Sequence, residues 1–153
     1  MEVLLDALYA SAPAEWLRWS RWGYASVNAA HILAFSLLVG SIFTLDLKLL
    51  GAWRRVDLAT LVPVLVPVAA TGLALAMTTG ALLFITRAGE YAALPLFLAK
   101  MALVAAGAVH AIAVHLGPGL EALSTAKRRA VGAVSIAVWT SVLVLGRMLA
   151  FVE

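Results

Sequence analysis

An uncharged stretch near the N-terminus constrains this chain more than any other feature. Residues 23–45 carry no charged side chain, and the strongly polar ring of His31 stands out within an otherwise apolar run. A helix needs about 20 apolar residues to cross the hydrocarbon core of a bilayer. The stretch therefore predicts a membrane-spanning helix. It ends at Asp46 and Lys48, whose charges we expect at a solvated helix end.

The composition of the whole chain agrees with a membrane protein. Of the 153 residues, 64% are hydrophobic and 12% are charged, whereas a soluble domain carries about 25% charged residues. There is no cysteine, so disulfides and thiolate metal ligands are excluded. Basic loops explain the net charge of +3, and no nucleic-acid partner is expected. Because the N-terminus is acidic rather than basic, no secretory signal is expected either.

Four apolar stretches are long enough to span a bilayer. They lie at about 24–47, 58–86, 94–116 and 130–151. Short connections between such spans predict an all-α fold, an integral membrane four-helix bundle that forms a single transmembrane domain over residues 1–153. Lysine and arginine are more frequent in the loops after the first and third spans, by six residues against four. These loops are therefore expected in the cytoplasm, with both termini outside.

The segment 2–22 precedes the first span and has the pattern of an interfacial helix. Trp16, Trp19 and Trp22 recur every three residues with arginines between them. Indole rings prefer the headgroup level of a bilayer, so this segment is expected to lie at the membrane surface.

Two stripes of small residues at every fourth position predict close helix packing. This packing is compatible with a homo-oligomer and equally with contacts inside one chain. The stripes are Gly72, Ala76 and Gly80 in the second span, and Ala133, Ala137 and Ser141 in the fourth.

Ionisable side chains inside a membrane are costly and mark functional sites by default. His31 and His110 are candidates for the paired axial ligands of a b-type haem. Their depths in two parallel spans differ by roughly 12 Å, however, so they cannot share one iron. Lys100 lies close to the depth of His31, and the two residues define an expected outer-half site. The further residues of this site are Asn28 and either Met77 or Thr78, with Arg87, Glu90, Tyr91 and Arg147 around its mouth.

Simpler roles remain open for the same residues. One alternative for His31 is a hydrogen bond to a neighbouring helix. One alternative for Lys100 is that its ammonium group extends to the membrane interface and pairs with Glu90. His110 and His115, near the cytoplasmic end of the third span, are expected to form interfacial hydrogen bonds.

Four sequence motifs, distributed over most of the chain, are distinctive. The pattern H-x8-G-x5-D-L-K-L-L-G runs from His31 to Gly51, and V-N-A-A-H-I-L covers residues 27–33. The other two are L-V-P-V-A-A-T-G-L-A-L-A at 65–76 and E-Y-A-A-L-P-L-F-L-A-K at 90–100. Together they resemble the motifs of an uncharacterised family of small bacterial four-helix inner-membrane proteins. The resemblance implies a multi-pass protein of the bacterial inner membrane and no particular activity.

A more distant likeness concerns the chemistry. A histidine early in the first span, a glycine in mid-span, a charged exit and Lys100 early in the third span are similar to the membrane protoporphyrinogen oxidases that bind haem b. The copper-resistance membrane proteins share the same general shape. The exit of the first span is D-L-K here, where the oxidases have P-R-L.

These observations lead to three hypotheses. The first is a haem-b-binding membrane protein in which His31 is the axial ligand and Lys100 lies near the iron or a propionate; a membrane oxidoreductase that uses a redox partner is one form of this hypothesis. The second is a copper or small-molecule transport protein, because imidazole from His31 and thioether from Met77 suit Cu(I). The third is a structural membrane subunit without a cofactor.

Overall fold

The regular secondary structure of the protein is helical. A computed structural model describes residues 2–117 and 119–152, so Met1, Pro118 and Glu153 of the predicted domain lie outside the described residues. The described part contains no strand, which confirms the all-α prediction. Its helices are α1 (Glu2–Tyr9), α2 (Ala12–Trp19), α3 (Arg21–Leu50), α4 (Leu58–Ile85), α5 (Ala88–Ala93), α6 (Pro95–Leu116) and α7 (Thr125–Leu149), with a 3-10 helix at Leu120–Ala122.

Four of these helices, α3, α4, α6 and α7, are long and apolar enough to cross a membrane. The prediction of four spans is thus confirmed, but two helices begin before the apolar stretch does. The α3 helix begins at Arg21 and α7 begins at Thr125. The earlier start of α7 has a local cause, because the Ser124 side chain accepts a hydrogen bond from the Lys127 backbone at 3.4 Å and so caps the helix.

The N-terminal segment is helical as predicted, and it divides into two short helices. The Ser11 hydroxyl donates to the Leu8 carbonyl at 2.6 Å after the end of α1. Pro13, which has no backbone donor, sits in the first turn of α2. Ser20 then separates α2 from α3, and its side chain accepts a hydrogen bond from the Gly23 backbone at 3.0 Å.

The three tryptophans of this segment project from the structure. Trp16, Trp19 and Trp22 have exposed fractions of 59%, 84% and 80%. Large exposed indoles are unfavourable in water and favourable at headgroup level. Their exposure agrees with the predicted position of the segment at a membrane surface.

The helices contribute to two compact units. The first unit comprises Met1–Leu38 and Ala70–Pro95, and the second comprises Val39–Ala69 and Leu96–Glu153. The first unit thus holds α1, α2, α5, the first part of α3 and the second part of α4. The second unit holds α6, α7 and the remaining parts of α3 and α4.

Within the first unit, α3 and α4 pack against each other at a glycine. A Cβ atom built on Gly72 would lie 2.6 Å from the Leu38 backbone nitrogen and 2.9 Å from the Ala34 carbonyl oxygen. Ala34 and Leu38 are each 2% exposed. The predicted packing role of the stripe at Gly72, Ala76 and Gly80 is confirmed for this contact.

Within the second unit, α7 packs through a face different from the one that its small residues predict. Gly132 would place a Cβ atom 2.9 Å from the Asp46 carbonyl oxygen, and the Trp139 side chain is 2% exposed. The predicted stripe of Ala133, Ala137 and Ser141 is exposed instead. The large Trp139 ring supplies the apolar area on the buried face, and glycine at 132 lets the backbones approach.

Candidate functional site

His31 lies in the first unit and contacts α4. Its ring nitrogen Nδ1 is 3.0 Å from the Thr79 hydroxyl oxygen. A Cβ atom at Gly80 would lie 3.1 Å from the Cε1 atom of the ring. Because position 80 has no side chain, the imidazole ring can lie directly against α4, where Thr79 holds it.

The hydrogen bonds of Thr79 determine which nitrogen of His31 carries the proton. The Thr79 hydroxyl lies 2.6 Å from the Leu75 carbonyl oxygen, which can only accept. The Thr79 hydroxyl therefore donates its hydrogen bond to the Leu75 carbonyl, and its oxygen accepts a hydrogen bond from the Nδ1–H group of His31. In the neutral ring the lone pair then belongs to Nε2. A metal-binding histidine is oriented in the same way, by a bond from its other nitrogen.

An open groove of about 420 Å³ lies in the same unit. We call it the arginine groove because three of its lining side chains are guanidinium groups, against a single carboxylate. The lining residues are Tyr9, Leu17, Arg18, Arg21, Tyr24, Thr86, Arg87 and Glu90.

The three arginines of the groove differ in their partners. The Arg18 side chain donates to the Tyr9 carbonyl at 2.7 Å, and its guanidinium lies 3.8 Å from the centre of the Tyr9 ring. Arg87 donates to the Glu90 carboxylate at 2.7 Å. The Arg21 side chain has no hydrogen bond or ion pair with the residues that the structure describes. The groove therefore has positive charge in excess of its internal pairing, and it suits an anionic group.

The groove and His31 lie along the same faces of two helices. Tyr24 of the groove precedes His31 by seven residues in α3, and Thr86 of the groove follows Thr79 by seven residues at the end of α4. Seven residues are nearly two helical turns, so each pair shares a helix face with an offset of about 10 Å. The imidazole thus lies roughly 10 Å from the groove along the shared faces of α3 and α4.

The predicted partners of His31 in α4 lie on other faces of that helix. Thr78 is exposed and donates back to the Ala74 carbonyl at 2.9 Å. Met77 is 47% exposed, and two residues correspond to about 200° of rotation, which directs it away from the face of Thr79. On α4, His31 lies against Thr79 and Gly80, which follow Met77 and Thr78 directly. Counting residues from the helix end gave the correct depth but not the correct face.

The remaining predicted residues of the first unit lie near the groove or at the surface. Asn28 is exposed, one turn before His31 in α3. Arg87 and Glu90 line the groove, where they pair with each other. Tyr91 is half-buried, and its ring stacks on Phe84 with 6.4 Å between ring centres.

Lys100 and Arg147 belong to the second unit. The Lys100 ammonium lies 5.4 Å from the centre of the Phe97 ring. Its aliphatic stem faces α7, since a Cβ atom at Gly146 would lie 3.8 Å from Lys100 Cδ. The Arg147 guanidinium lies 4.8 Å from the centre of the Phe151 ring. The predicted approach of Lys100 to His31 stays a prediction.

Two expectations about polar residues of the second unit are wrong. Asp46 is 4% exposed and accepts a hydrogen bond from the Ser135 side chain, so it does not form a solvated helix end. The Nε2 atom of His110 is buried without a hydrogen bond to any residue that the structure describes. His115, by contrast, is exposed. Both corrections follow from the packing of α7 against the C-terminal parts of α3 and α6.

The described parts of the chain contain no group of three histidine, cysteine, aspartate or glutamate side chains that could hold a metal ion. A haem iron takes its equatorial ligands from the porphyrin, so a single imidazole suffices as the protein contribution. The fold and site define an all-α protein with four membrane-length helices, in which the arginine groove lies about two helical turns from a histidine. No family model, curated protein or solved structure matches the chain.

Proposed function

We propose that the protein binds haem b in the outer half of the bacterial inner membrane, with both termini on the periplasmic side. One observation carries the proposal: the hydrogen bond from His31 Nδ1 to Thr79, on the helix faces that lead to the arginine groove. This arrangement offers an axial nitrogen and an anion-binding surface to the same ligand.

The iron would be held by His31 through Nε2. A neutral imidazole whose other nitrogen donates a hydrogen bond is the usual axial ligand of b-type haem. When bound, haem supplies one-electron redox chemistry. The chain's own contribution is to orient the imidazole ring and keep its proton on Nδ1.

The haem propionates would be held by the arginine groove. Haem has an apolar ring and two carboxylates, so it fits a site that is apolar at depth and cationic at the membrane surface. Arginine binds carboxylates through paired hydrogen bonds. Arg21 is the principal candidate, because Arg18 and Arg87 already bond Tyr9 and Glu90.

Absorption spectroscopy of the purified protein tests the proposal. The protein is expressed with an adequate haem supply, purified in detergent and examined for a Soret band and for haem-to-protein stoichiometry. We expect a b-type spectrum that persists through purification. A colourless protein without metal would support a purely structural subunit. Copper without a Soret band would support the copper hypothesis, and either result would overturn the proposal.

Replacing Arg21 with glutamine is expected to weaken haem binding by about tenfold or more. The variant removes one charge-assisted hydrogen bond, which is worth roughly 1.5–3 kcal/mol. Haem titration of the apoprotein measures the change in Kd. The control is Arg54→Gln, an exposed arginine of the loop after α3 that does not line the groove. Equal affinities for the two variants would show that the groove does not hold the propionates.

A further inference from the structure

The second unit contains a buried carboxylate that the haem proposal does not use. Asp46 is 4% exposed, and Ser135 on α7, itself 7% exposed, donates a hydrogen bond to it. The oxygen Oδ2 of Asp46 is buried without a hydrogen bond from any residue in the described part of the chain. A buried oxygen without a hydrogen bond destabilises the folded state. We therefore expect a proton or an internal water molecule at Oδ2 of Asp46.

A second buried polar atom lies on α6. The Nε2 atom of His110 is buried and has no hydrogen bond to the described residues. His110 follows Gly107 by one helical turn, and Gly107 packs against the Trp139 ring at 3.0 Å from its ideal Cβ position. The imidazole therefore lies just beyond Trp139, on a part of α6 that packs against α7.

Two contacts define how α6 and α7 align. Gly107 lies opposite Trp139, and Lys100, seven residues earlier in α6, lies opposite Gly146, seven residues later in α7. The two helices are thus antiparallel with a constant register. Advancing by three residues in α6 corresponds to moving back by about three residues in α7.

This register brings the two unsatisfied atoms to one level. His110 lies three residues after Gly107, and so it lies opposite the turn of α7 that contains Ser135. Ser135 bonds Asp46. The carboxylate, the hydroxyl and the imidazole are therefore expected at one depth, about one helical turn from the Trp139 ring.

We propose that Asp46, Ser135 and His110 form a protonatable site that holds one proton together with an ordered water molecule. The water would bridge Oδ2 of Asp46 and Nε2 of His110, because these atoms do not bond each other directly. The proton is carried by the carboxyl group or by the imidazole, and the Ser135 hydroxyl satisfies the other carboxylate oxygen. Chains of acidic and histidine side chains inside membranes transfer protons in this manner.

The other charged groups on the neighbouring elements have partners of their own or are exposed. Arg128 shares the α7 face of Ser135 and lies about 10 Å from it along the helix. Its Nη2 donates to the Glu121 carbonyl, while its Nε is buried without a hydrogen bond to the described residues. Lys48 donates to the Trp53 carbonyl at 3.0 Å. His115 of α6 is exposed, and residues 58–69 of α4 contain no titratable side chain.

Infrared difference spectroscopy during a pH titration tests the site. Acidification of the wild-type protein should produce a carboxylic-acid band that is absent from Asp46→Asn. In His110→Gln the pH at which the band appears should be displaced by about one pH unit or more, because the facing imidazole is lost. The matched controls are His115→Gln, on the same helix as His110, and Asp57→Asn, in the loop between α3 and α4. Both positions are exposed. Neither should change the band.

Three outcomes would overturn the inference. These are a band that survives in Asp46→Asn, equal titrations of His110→Gln and His115→Gln, and a band that sodium ions suppress at constant pH, which would identify a metal cation as the occupant. Should Asp46→Asn not fold, Ser135→Ala retains both titratable groups and should shift the band frequency. The Soret band reports on His31 alone, so failure of this inference and failure of the haem proposal are distinguishable.

Discussion

Replacing His31 with alanine should abolish haem binding, so that the variant is purified without a Soret band. The imidazole is the single axial nitrogen that the first unit offers at Thr79, and alanine provides no ligand for the iron. The expected loss is complete rather than partial, because an axial bond has no substitute on this helix face. The measurement is the haem-to-protein ratio after purification. His115→Ala, at an exposed position of α6, is the matched histidine control and should retain haem.

Variants of two neighbouring threonines, Thr79 and Thr78, separate a specific effect on the orientation of His31 from a general effect on the folding of α4. Thr79→Val removes the hydroxyl that accepts the hydrogen bond from His31 Nδ1. Loss of such an orienting hydrogen bond lowers metal affinity by roughly tenfold to a hundredfold. Thr78→Val removes a hydroxyl that bonds only its own helix, to the Ala74 carbonyl. If both variants bind haem equally well, the hydrogen bond of Thr79 does not orient the ligand. If His31→Ala keeps its band, His31 is not the ligand.

Replacing Gly72 with alanine should destabilise the protein by about 1–3 kcal/mol, the usual cost of an overpacked core. The added Cβ atom would lie 2.6 Å from the Leu38 backbone nitrogen and 2.9 Å from the Ala34 carbonyl oxygen. Both contacts are with backbone, which cannot rotate away as a side chain would. The helices α3 and α4 must therefore separate. Thermal unfolding in detergent measures the loss.

The control for this variant is Gly40→Ala. A Cβ atom at Gly40, also in a membrane-length helix, meets nothing within 4 Å. The control should unfold at or above the wild-type temperature, because alanine has the higher helix propensity. Equal unfolding temperatures for Gly72→Ala and Gly40→Ala would contradict the close approach of α3 to α4. Since His31 lies on the same pair of helices, haem affinity should also fall in Gly72→Ala.

The long helices are predictable from the sequence for a simple physical reason. Inside a bilayer each backbone group must be satisfied within its own segment, and a helix does this locally. An uninterrupted apolar run such as residues 23–45 therefore determines a helix without reference to the rest of the chain. The helix ends depend on local groups, and the cap that starts α7 comes from the hydroxyl of Ser124.

The identity of the groups around His31 required the tertiary structure. A count along α4 identifies the level of the site, but neighbouring residues at that level differ by about 100° in direction. The sequence therefore could not separate Thr79 from Thr78 or Met77. The arginine groove was predictable only in part. Arg87 and Glu90 were placed at the mouth of the site, whereas the contribution of Tyr9, Arg18 and Arg21 depends on how the N-terminal segment packs against residues distant in the chain.

Asp46 and His110 also show the difference between properties that depend on the local sequence and properties that depend on helix packing. Their charge and their position near helix ends are local properties, and these favour contact with water. The packing of α7 through Gly132 and Trp139 is not local, and Asp46 and the Nε2 atom of His110 are buried in the folded protein. The helical class, the four membrane-length helices and the candidate histidine follow from the amino-acid sequence alone, because the length of an apolar run acts within one segment. The partner of each polar side chain was decided by the rotation and register of packed helices, which depend on contacts between segments distant in the chain.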